Sequence, residues 1–263
     1  MEEYRLDVYV HTKGFADSRE RAKQLIMNSC VYVNDKIKTK PSFKVTDVDD
    51  IKVNNDLCYV SRGASKLEKA ILFFHINIEN MVAIDIGAST GGFTDYLIKH
   101  GAKKVYAVDV GHGQLHDTLK NNNRVINIEN TNFRYVDTSV FTNVIDIITA
   151  DVSFISLKFI LPKIVEISHQ DTNIVVLVKP QFEAGKNNVG KNGIVKDKGI
   201  HFAVLNNFNE YCHENSLFIE NITYSPVKGG DGNIEYLAHL RKQIKDENVL
   251  NFKDLIKDAF DKL

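Results

Sequence analysis

The chain has 263 residues, a length that suits one large domain or two smaller ones. Apolar residues make up 43% and charged residues 25%, as in ordinary folded proteins. The low content of proline (4) and glycine (15) excludes a collagenous or Pro/Gly-rich disordered chain. Lys and Arg total 33 against 34 Asp and Glu, which excludes a uniformly basic coat for nucleic acid but not a local basic patch.

Three widely spaced cysteines, Cys30, Cys58 and Cys212, include no CxxC pair. This pattern argues against a disulfide framework and a cysteine-rich zinc site, and it predicts a reducing, cytoplasmic compartment. The N-terminus lacks an apolar signal-peptide core, and no stretch approaches the roughly 18 consecutive apolar residues of a membrane span. We therefore expect no stable membrane association. The pair His112 and His116 lacks the glutamate of a zinc-protease motif, so no metal is expected.

Residues 1–60 are predicted to form a small α/β domain with a basic face. Ser18 is placed to cap a helix from Arg19 to Ser29, which a strand at 31–33 and a tight turn at 34–35 follow. Between residues 13 and 44 the chain carries eight basic and three acidic residues. Such a face fits a phosphate backbone, and a merely solvated surface is the alternative. The residues expected to contact RNA are Arg5, Arg19, Arg21, Lys23, Lys36, Lys40 and Arg62.

Residues 61–245 show short apolar strands that alternate with helical segments, beginning with the strand Val82–Ile86. This alternation is typical of a mostly parallel sheet with helices on both faces. The last two strands, Phe218–Tyr224 and Ile234–Leu240, have only a short Gly-rich link, which permits an antiparallel hairpin but no crossover helix. A sheet of this kind is the arrangement of class I, Rossmann-like methyltransferases. Residues 246–263 are predicted to form a C-terminal helix whose apolar side packs against this domain.

A glycine-rich turn, DIGASTGGFT, follows the first strand of this domain. Its spacing is not the G-x-G-x-x-G of nicotinamide enzymes, and the absence of Gly-Lys-Ser/Thr excludes a P-loop. Asp85 would repel pyrophosphate but suits the ammonium group of S-adenosylmethionine, while Asp109, after the second strand, suits ribose hydroxyls. A turn needed only for packing is the alternative. The residues expected to bind the cofactor are Asp85, Gly87, Ser89, Gly91, Gly92, Phe93, Asp109, Val110 and Asp151.

Four charged residues, which we call the tetrad, lie at the borders of predicted strands. Lys66 precedes the sheet, Asp151 and Lys179 end the fourth and fifth strands, and Glu235 opens the last strand. Because the carboxyl ends of parallel strands line the ligand crevice, the tetrad is a candidate catalytic group. Structural ion pairs at strand ends are the alternative. The polar segment 179–197, rich in Gly and Asn, is predicted to be a mobile lid.

Together these features resemble the TlyA family, whose members are named hemolysins and FtsJ-like rRNA 2′-O-methyltransferases. The resemblance extends from about residue 4 to about residue 242, and the motifs that carry it are RGASKLEKA, DIGASTGGFT, ADVSFISL, KPQFE and GNIEYL. Residues 4 to about 57 resemble the S4 RNA-binding domain. The resemblance implies S-adenosylmethionine as the cofactor and a catalytic role on a ribose 2′-hydroxyl for the tetrad.

The resemblance further implies cytidine as the target and ribosomal RNA or ribosomal subunits as the partner. The C-terminal helix resembles that of the form that modifies both subunits. From the residue types alone, Lys179 is either a base for the hydroxyl proton or a cation that stabilises the developing alkoxide. A membrane-active hemolysin is an alternative that the expected absence of membrane segments disfavours. A non-catalytic RNA-binding factor is another, which the complete tetrad disfavours.

Overall fold

The computed structural model describes residues 2–28, 30–54, 58–243 and 250–263. Its contacts divide the chain into two compact units, Met1–Arg62 and Gly63–Leu263. Within the described ranges, no helix has both the length and the apolar character needed to cross a membrane.

The first unit combines two helices with short strands: β1 (Tyr4–Arg5), α1 (Leu6–Thr12), α2 (Arg19–Met27), β2 (Val31–Val33), β3 (Lys36–Ile37), β4 (Lys44–Val45) and β5 (Ile51–Val53). Strand β1 pairs with β4, and β2 lies between β3 and β5. As predicted, the Ser18 side chain caps α2 by accepting from the Arg21 amide. The predicted tight turn is also present, because Asn34 and Asp35 have φ angles of 52° and 58°, a region that these two residue types tolerate.

One cysteine pair departs from expectation. Cys30 and Cys58 are joined as a disulfide within the first unit, with their Cα atoms 5.5 Å apart, so the argument against disulfides is wrong for this pair. The reason is tertiary: β5 returns antiparallel to β2, and the Asn54 amide donates to the Cys30 carbonyl, which brings the chain after β5 back to Cys30. Cys212 is a buried free thiol.

The second unit is built on a seven-stranded sheet. Its elements are α3 (Gly63–Phe74), β6 (Val82–Ile86), α4 (Gly92–Lys99), β7 (Lys104–Val108), α5 (Asp117–Lys120), β8 (Val125–Ile128), β9 (Ile147–Ala150), α6 (Leu161–Ile167), β10 (Asn173–Val178), α7 (Pro180–Glu183), α8 (Lys198–Glu214), β11 (Phe218–Tyr224), β12 (Tyr236–Arg241) and α9 (Phe252–Lys262). The strand order is β11-β12-β10-β9-β6-β7-β8. Strands β8, β7, β6, β9 and β10 run parallel, and β12 pairs antiparallel with β10 and β11. This confirms the predicted class I methyltransferase sheet.

The C-terminal helix α9 belongs to the second unit and shares its core. Phe252, Ile256 and Ala259 are buried in the same apolar cluster as the central strands, which is the packing that the apolar spacing of the helix predicts. Asn251 caps the helix by accepting from the Asp254 amide. The predicted boundary at residue 246 lies outside the described residues.

Candidate active site

A cavity of about 420 Å³ lies at the carboxyl ends of β6, β7 and β9. This is the edge at which open α/β sheets bind ligands, and the volume suits a nucleoside-sized molecule. Five of the predicted cofactor residues line it: Gly87, Ser89, Asp109, Val110 and Asp151.

Gly87 brings the turn after β6 against the end of β9. Its φ of +79° is readily available only to glycine, and a Cβ atom there would lie 2.7 Å from the Asp151 carbonyl oxygen. The Asp151 amide also donates to the carbonyl of Ile86. One wall of the cavity therefore depends on direct backbone contact between these two segments.

Asp109 is the polar anchor of the opposite wall. Its Oδ2 accepts from the Ser89 amide at 2.8 Å, and its Oδ1 accepts from the Gly111 amide at 2.7 Å. A carboxylate oxygen can accept two hydrogen bonds, so each keeps one for a ligand hydroxyl. The adjacent Val110 side chain is 69% exposed and offers an apolar surface to a ring. These residues fit the ribose and adenine of S-adenosylmethionine.

The other four predicted cofactor residues do not line this cavity. Asp85 is buried and accepts from the hydroxyls of Thr94 and Thr149, at 2.7 and 3.1 Å, so it ties α4 to β9. Burial raises the pKa of Asp85 to about 7. Gly91, Gly92 and Phe93 lie at the start of α4, and a Cβ atom on Gly91 would collide with Leu119. Their position indicates that they shape the turn and pack the helix.

The structure brings the tetrad together from α3, the ends of β9 and β10, and the residue before β12. Lys66 Nζ donates to Glu235 Oε2 at 2.7 Å and lies 3.9 Å from Asp151 Oδ2. Lys179 Nζ lies 2.6 Å from Asp151 Oδ1. Two positive and two negative groups thus alternate in a largely buried line, an arrangement in which each charge has an opposite partner.

Two neutral side chains that the sequence reasoning missed touch the ends of this line. Ser153 Oγ accepts from Lys179 Nζ at 2.9 Å, and Gln181 Nε2 donates to Glu235 Oε1 at 3.2 Å. Each stands two residues after a tetrad member, Asp151 or Lys179, which is the only sequence signal available. Residues after β8, such as Thr131 and Asn132, also line the cavity, and the strand-end rule applied to β8 would have found them.

The segment predicted to be a mobile lid is fastened at its C-terminal end. The Val195 amide donates to Asn233 Oδ1 at 2.9 Å, and Asn233 Nδ2 donates to the Gly193 carbonyl at 2.8 Å. Val195 and Asn233 are both buried. Because Asn233 stands two residues before Glu235, this end of the segment is held beside the tetrad.

The predicted RNA-contacting residues fall into two groups in the first unit. Arg5 and Arg19 both form ion pairs with Asp7, which is fully buried, at 2.9 and 3.1 Å. Burial alone would raise the pKa of Asp7, but the two guanidinium groups hold it below its ordinary value. Lys23 pairs with exposed Glu20. The first group therefore has structural partners within the unit.

The second group lies mostly at the surface of the unit. Lys36, Lys40 and Arg62 are exposed, and Arg21 is half-buried with a long contact to Gln24. We retain Arg21, Lys36 and Lys40 as the residues whose charge is easiest to test without disturbing the buried Asp7.

Comparison with known proteins identifies both units. Residues 5–51 match the family model of the S4 domain, and residues 59–242 match that of the FtsJ-like methyltransferase. Hemolysin A of Brachyspira hyodysenteriae is 47% identical over 89% of this chain and 98% of its own length. The 16S/23S rRNA (cytidine-2′-O)-methyltransferase TlyA of Mycobacterium tuberculosis is 38% identical over 91% of this chain and 90% of its own.

A solved structure from Streptococcus thermophilus, described as a candidate hemolysin, aligns with a TM-score of 0.75 and 41% identity, covering 100% of this chain and 97% of that one. With its S4 domain, its FtsJ-like methyltransferase domain and these relatives, the chain belongs to the TlyA family of methyltransferases.

Proposed function

We propose that this protein transfers a methyl group from S-adenosylmethionine to the ribose 2′-hydroxyl of a cytidine in ribosomal RNA. The observation that carries the proposal is the tetrad, assembled from four separate segments beside a nucleoside-sized cavity. The name of the M. tuberculosis relative supports the RNA and cytidine assignments. An enzyme acting on ribosomal RNA would work in the cytoplasm, with ribosomal RNA or a ribosomal subunit as its partner.

S-adenosylmethionine, when bound, supplies an electrophilic methyl group. The protein has to place a hydroxyl in line with that group and take or neutralise its proton. Both partners of the Lys179 amine, Asp151 and Ser153, belong to the cavity wall. Both Glu235 oxygens are already engaged, by Lys66 and Gln181. We therefore assign Lys179 to the acceptor hydroxyl and Lys66 and Glu235 to holding Asp151 in place.

An exposed aromatic ring on the cavity wall supports a nucleic-acid substrate. Phe154 lines the cavity, is 91% exposed and lies 5.2 Å from the ring of Phe182. Its φ of 63° is unfavourable for a bulky side chain, so the surrounding loop maintains a conformation that presents this ring to solvent. Proteins that act on unstacked nucleotides commonly stack the base on such a ring.

The proposal is tested with purified protein, S-adenosylmethionine carrying a labelled methyl group, and three RNA substrates: free 16S rRNA, free 23S rRNA and intact ribosomal subunits. We expect label in at least one substrate, and digestion should locate it on the 2′-oxygen of a cytidine. Label on a base or on protein, or no transfer to any of the substrates, would contradict the proposal.

Replacing Asp109 with alanine should weaken cofactor binding about tenfold or more. The carboxylate is placed for two hydroxyl groups, and a hydrogen bond to a charged group contributes roughly 1.5–3 kcal/mol. Calorimetric titration with S-adenosylhomocysteine measures the effect. The matched control is Asp117→Ala, because the Asp117 side chain is exposed at the start of α5. Equal affinities for the two variants would remove Asp109 from the cofactor site.

Neutralising Arg21, Lys36 and Lys40 together, each to Gln, should weaken RNA binding and flatten its dependence on salt. Each lost phosphate contact lowers the slope of log affinity against log salt concentration by about 0.7–0.9. Arg19 is left in place because its removal would leave buried Asp7 with one partner fewer. A salt titration of RNA affinity measures the slope, and cofactor affinity should stay unchanged.

The control for this variant removes the same charge from the second unit, through Lys103→Gln, Lys257→Gln and Lys262→Gln at exposed residues. It should lower the slope less than the first-unit variant does. The same slope in the wild type and in the first-unit variant would mean that the basic face is only a solvated surface.

A further inference from the structure

Two contacts hold the amine of Lys179, and they differ in kind. Asp151 Oδ1 lies 2.6 Å from Nζ, but this ion pair is not aligned as a hydrogen bond, and Oδ1 has no hydrogen-bond partner among the described residues. Ser153 Oγ lies 2.9 Å from Nζ and does form an aligned hydrogen bond. Charge attraction depends mainly on distance, whereas a hydrogen bond weakens steeply as its angle narrows. Ser153 therefore determines the direction in which the amine points.

Ser153 lies where its hydrogen bond can turn the Lys179 amine toward the cavity. Ser153 belongs to the wall of the cavity, and its side chain is exposed, whereas Lys179 is buried. A lysine ammonium has three N–H groups on a freely rotating terminal bond. With one of them fixed on Ser153 and the charge held by Asp151, the directions of the other two N–H groups are constant, and one of these two can face the acceptor hydroxyl.

Building on the proposed function, we propose that Ser153 is a positioning residue for methyl transfer: its hydroxyl orients the Lys179 amine toward the ribose hydroxyl. Without this hydrogen bond, the amine is held only by its attraction to Asp151 and can rotate. The orientation that faces the ribose hydroxyl is then one of several. The substrate and cofactor still bind, because neither affinity depends on how the amine is turned. The effect therefore falls on the rate of the chemical step.

The first test is Ser153→Ala under single-turnover conditions with the RNA substrate that the wild type methylates. We expect the rate constant to fall about 10- to 100-fold, the range that small misplacements of reacting groups produce. Affinities for S-adenosylhomocysteine and for RNA should stay within about twofold of the wild type, because the interaction acts after binding. Ser153→Thr should restore the rate to within about threefold, since the exposed position accommodates a methyl group and the hydroxyl is kept.

A second serine in the same loop provides the matched control. Ser156 Oγ donates to Glu183 Oε2 at 2.6 Å and is not among the partners of Lys179. Ser156→Ala therefore disturbs the loop without removing the acceptor of the lysine, and we expect a smaller loss of rate than for Ser153→Ala.

The outcomes separate the two proposals. A wild-type protein that transfers no methyl group to RNA overturns the proposed function. A wild type that does so, with an unchanged rate in Ser153→Ala, overturns only the role of Ser153. So does an equal loss in Ser156→Ala, a threonine variant as slow as the alanine variant, or a loss explained entirely by weaker binding.

Discussion

Replacing Lys179 with alanine is expected to abolish methyl transfer while cofactor affinity stays nearly intact. Lys179 is buried and contacts Asp151 and Ser153, and the proposed function assigns it to the acceptor hydroxyl. Removing a group that handles the reacting proton or the developing charge typically slows a reaction by about 10²–10⁴-fold. Single-turnover methylation measures the rate, and calorimetry with S-adenosylhomocysteine measures the affinity.

The same variant should also lower stability, because among the described residues Lys66, at 3.9 Å, is then the one cation left paired with Asp151. Breaking a buried ion pair costs about 3–5 kcal/mol, so folding has to be verified at the assay temperature. Lys163→Ala is the matched control: Lys163 pairs with Glu166 at 2.7 Å on α6, outside the tetrad. We expect this control to retain wild-type activity.

Lys179→Arg distinguishes shape from charge. A guanidinium keeps the positive charge but is planar, does not deprotonate and cannot place a single N–H as an ammonium does. We expect this variant to be inactive as well. A wild-type single-turnover rate would show that Lys179 contributes only charge and would exclude its role as a base.

Replacing Gly87 with alanine should eliminate most cofactor binding and most activity. The new Cβ atom would lie 2.7 Å from the Asp151 carbonyl oxygen, and a backbone atom cannot move aside as a flexible side chain can. The φ of +79° adds about 1–2 kcal/mol of strain for a residue other than glycine. Displacing the end of β9 moves both the cavity wall and a tetrad member. We expect at least tenfold weaker binding of S-adenosylhomocysteine and a lower melting temperature.

Gly185→Ala distinguishes the effect of backbone strain at a positive φ from the effect of a steric clash with the Asp151 backbone. Gly185 has a similar φ of +75°, but nothing lies within 4 Å of an added Cβ atom. This control should lose some thermal stability and retain cofactor affinity. Equal losses of affinity in the two variants would mean that contact with the Asp151 backbone is unimportant for the cavity.

The strands of the second unit were predictable from sequence because their patterns are local. Strands β6 and β11 have the predicted bounds, since apolar and β-branched runs end at turn-forming residues. The hairpin of β11 and β12 followed from a link too short for a crossover. The long helix α8 was not predicted, because its apolar residues are interrupted by Asn, His and Glu, and only packing against the sheet decides its burial.

The tetrad was predicted as four positions, and tertiary structure decided how they pair. Lys66 and Glu235 are 169 residues apart, so no local pattern encodes their hydrogen bond. The same limit applies to the pairing of Arg19 with Asp7. Arg19 was predicted to contact RNA because of its charge, but in the structure this charge is paired with a buried carboxylate. The catalytic role of the tetrad and the RNA-binding role of the basic face stay predictions, which the variants of Lys179 and the triple variant of Arg21, Lys36 and Lys40 test.

The sequence by itself determined the parallel arrangement of the central strands, the family and the candidate tetrad, because periodicity, turn chemistry and motif spacing are properties of short segments. Only the tertiary structure decided that Asp85 is buried among threonines, that Cys30 meets Cys58, and that Ser153 holds Lys179. These are contacts between segments that are distant along the chain. They depend on strand order and register, which place side chains to within an ångström, and composition and spacing do not specify positions at that precision.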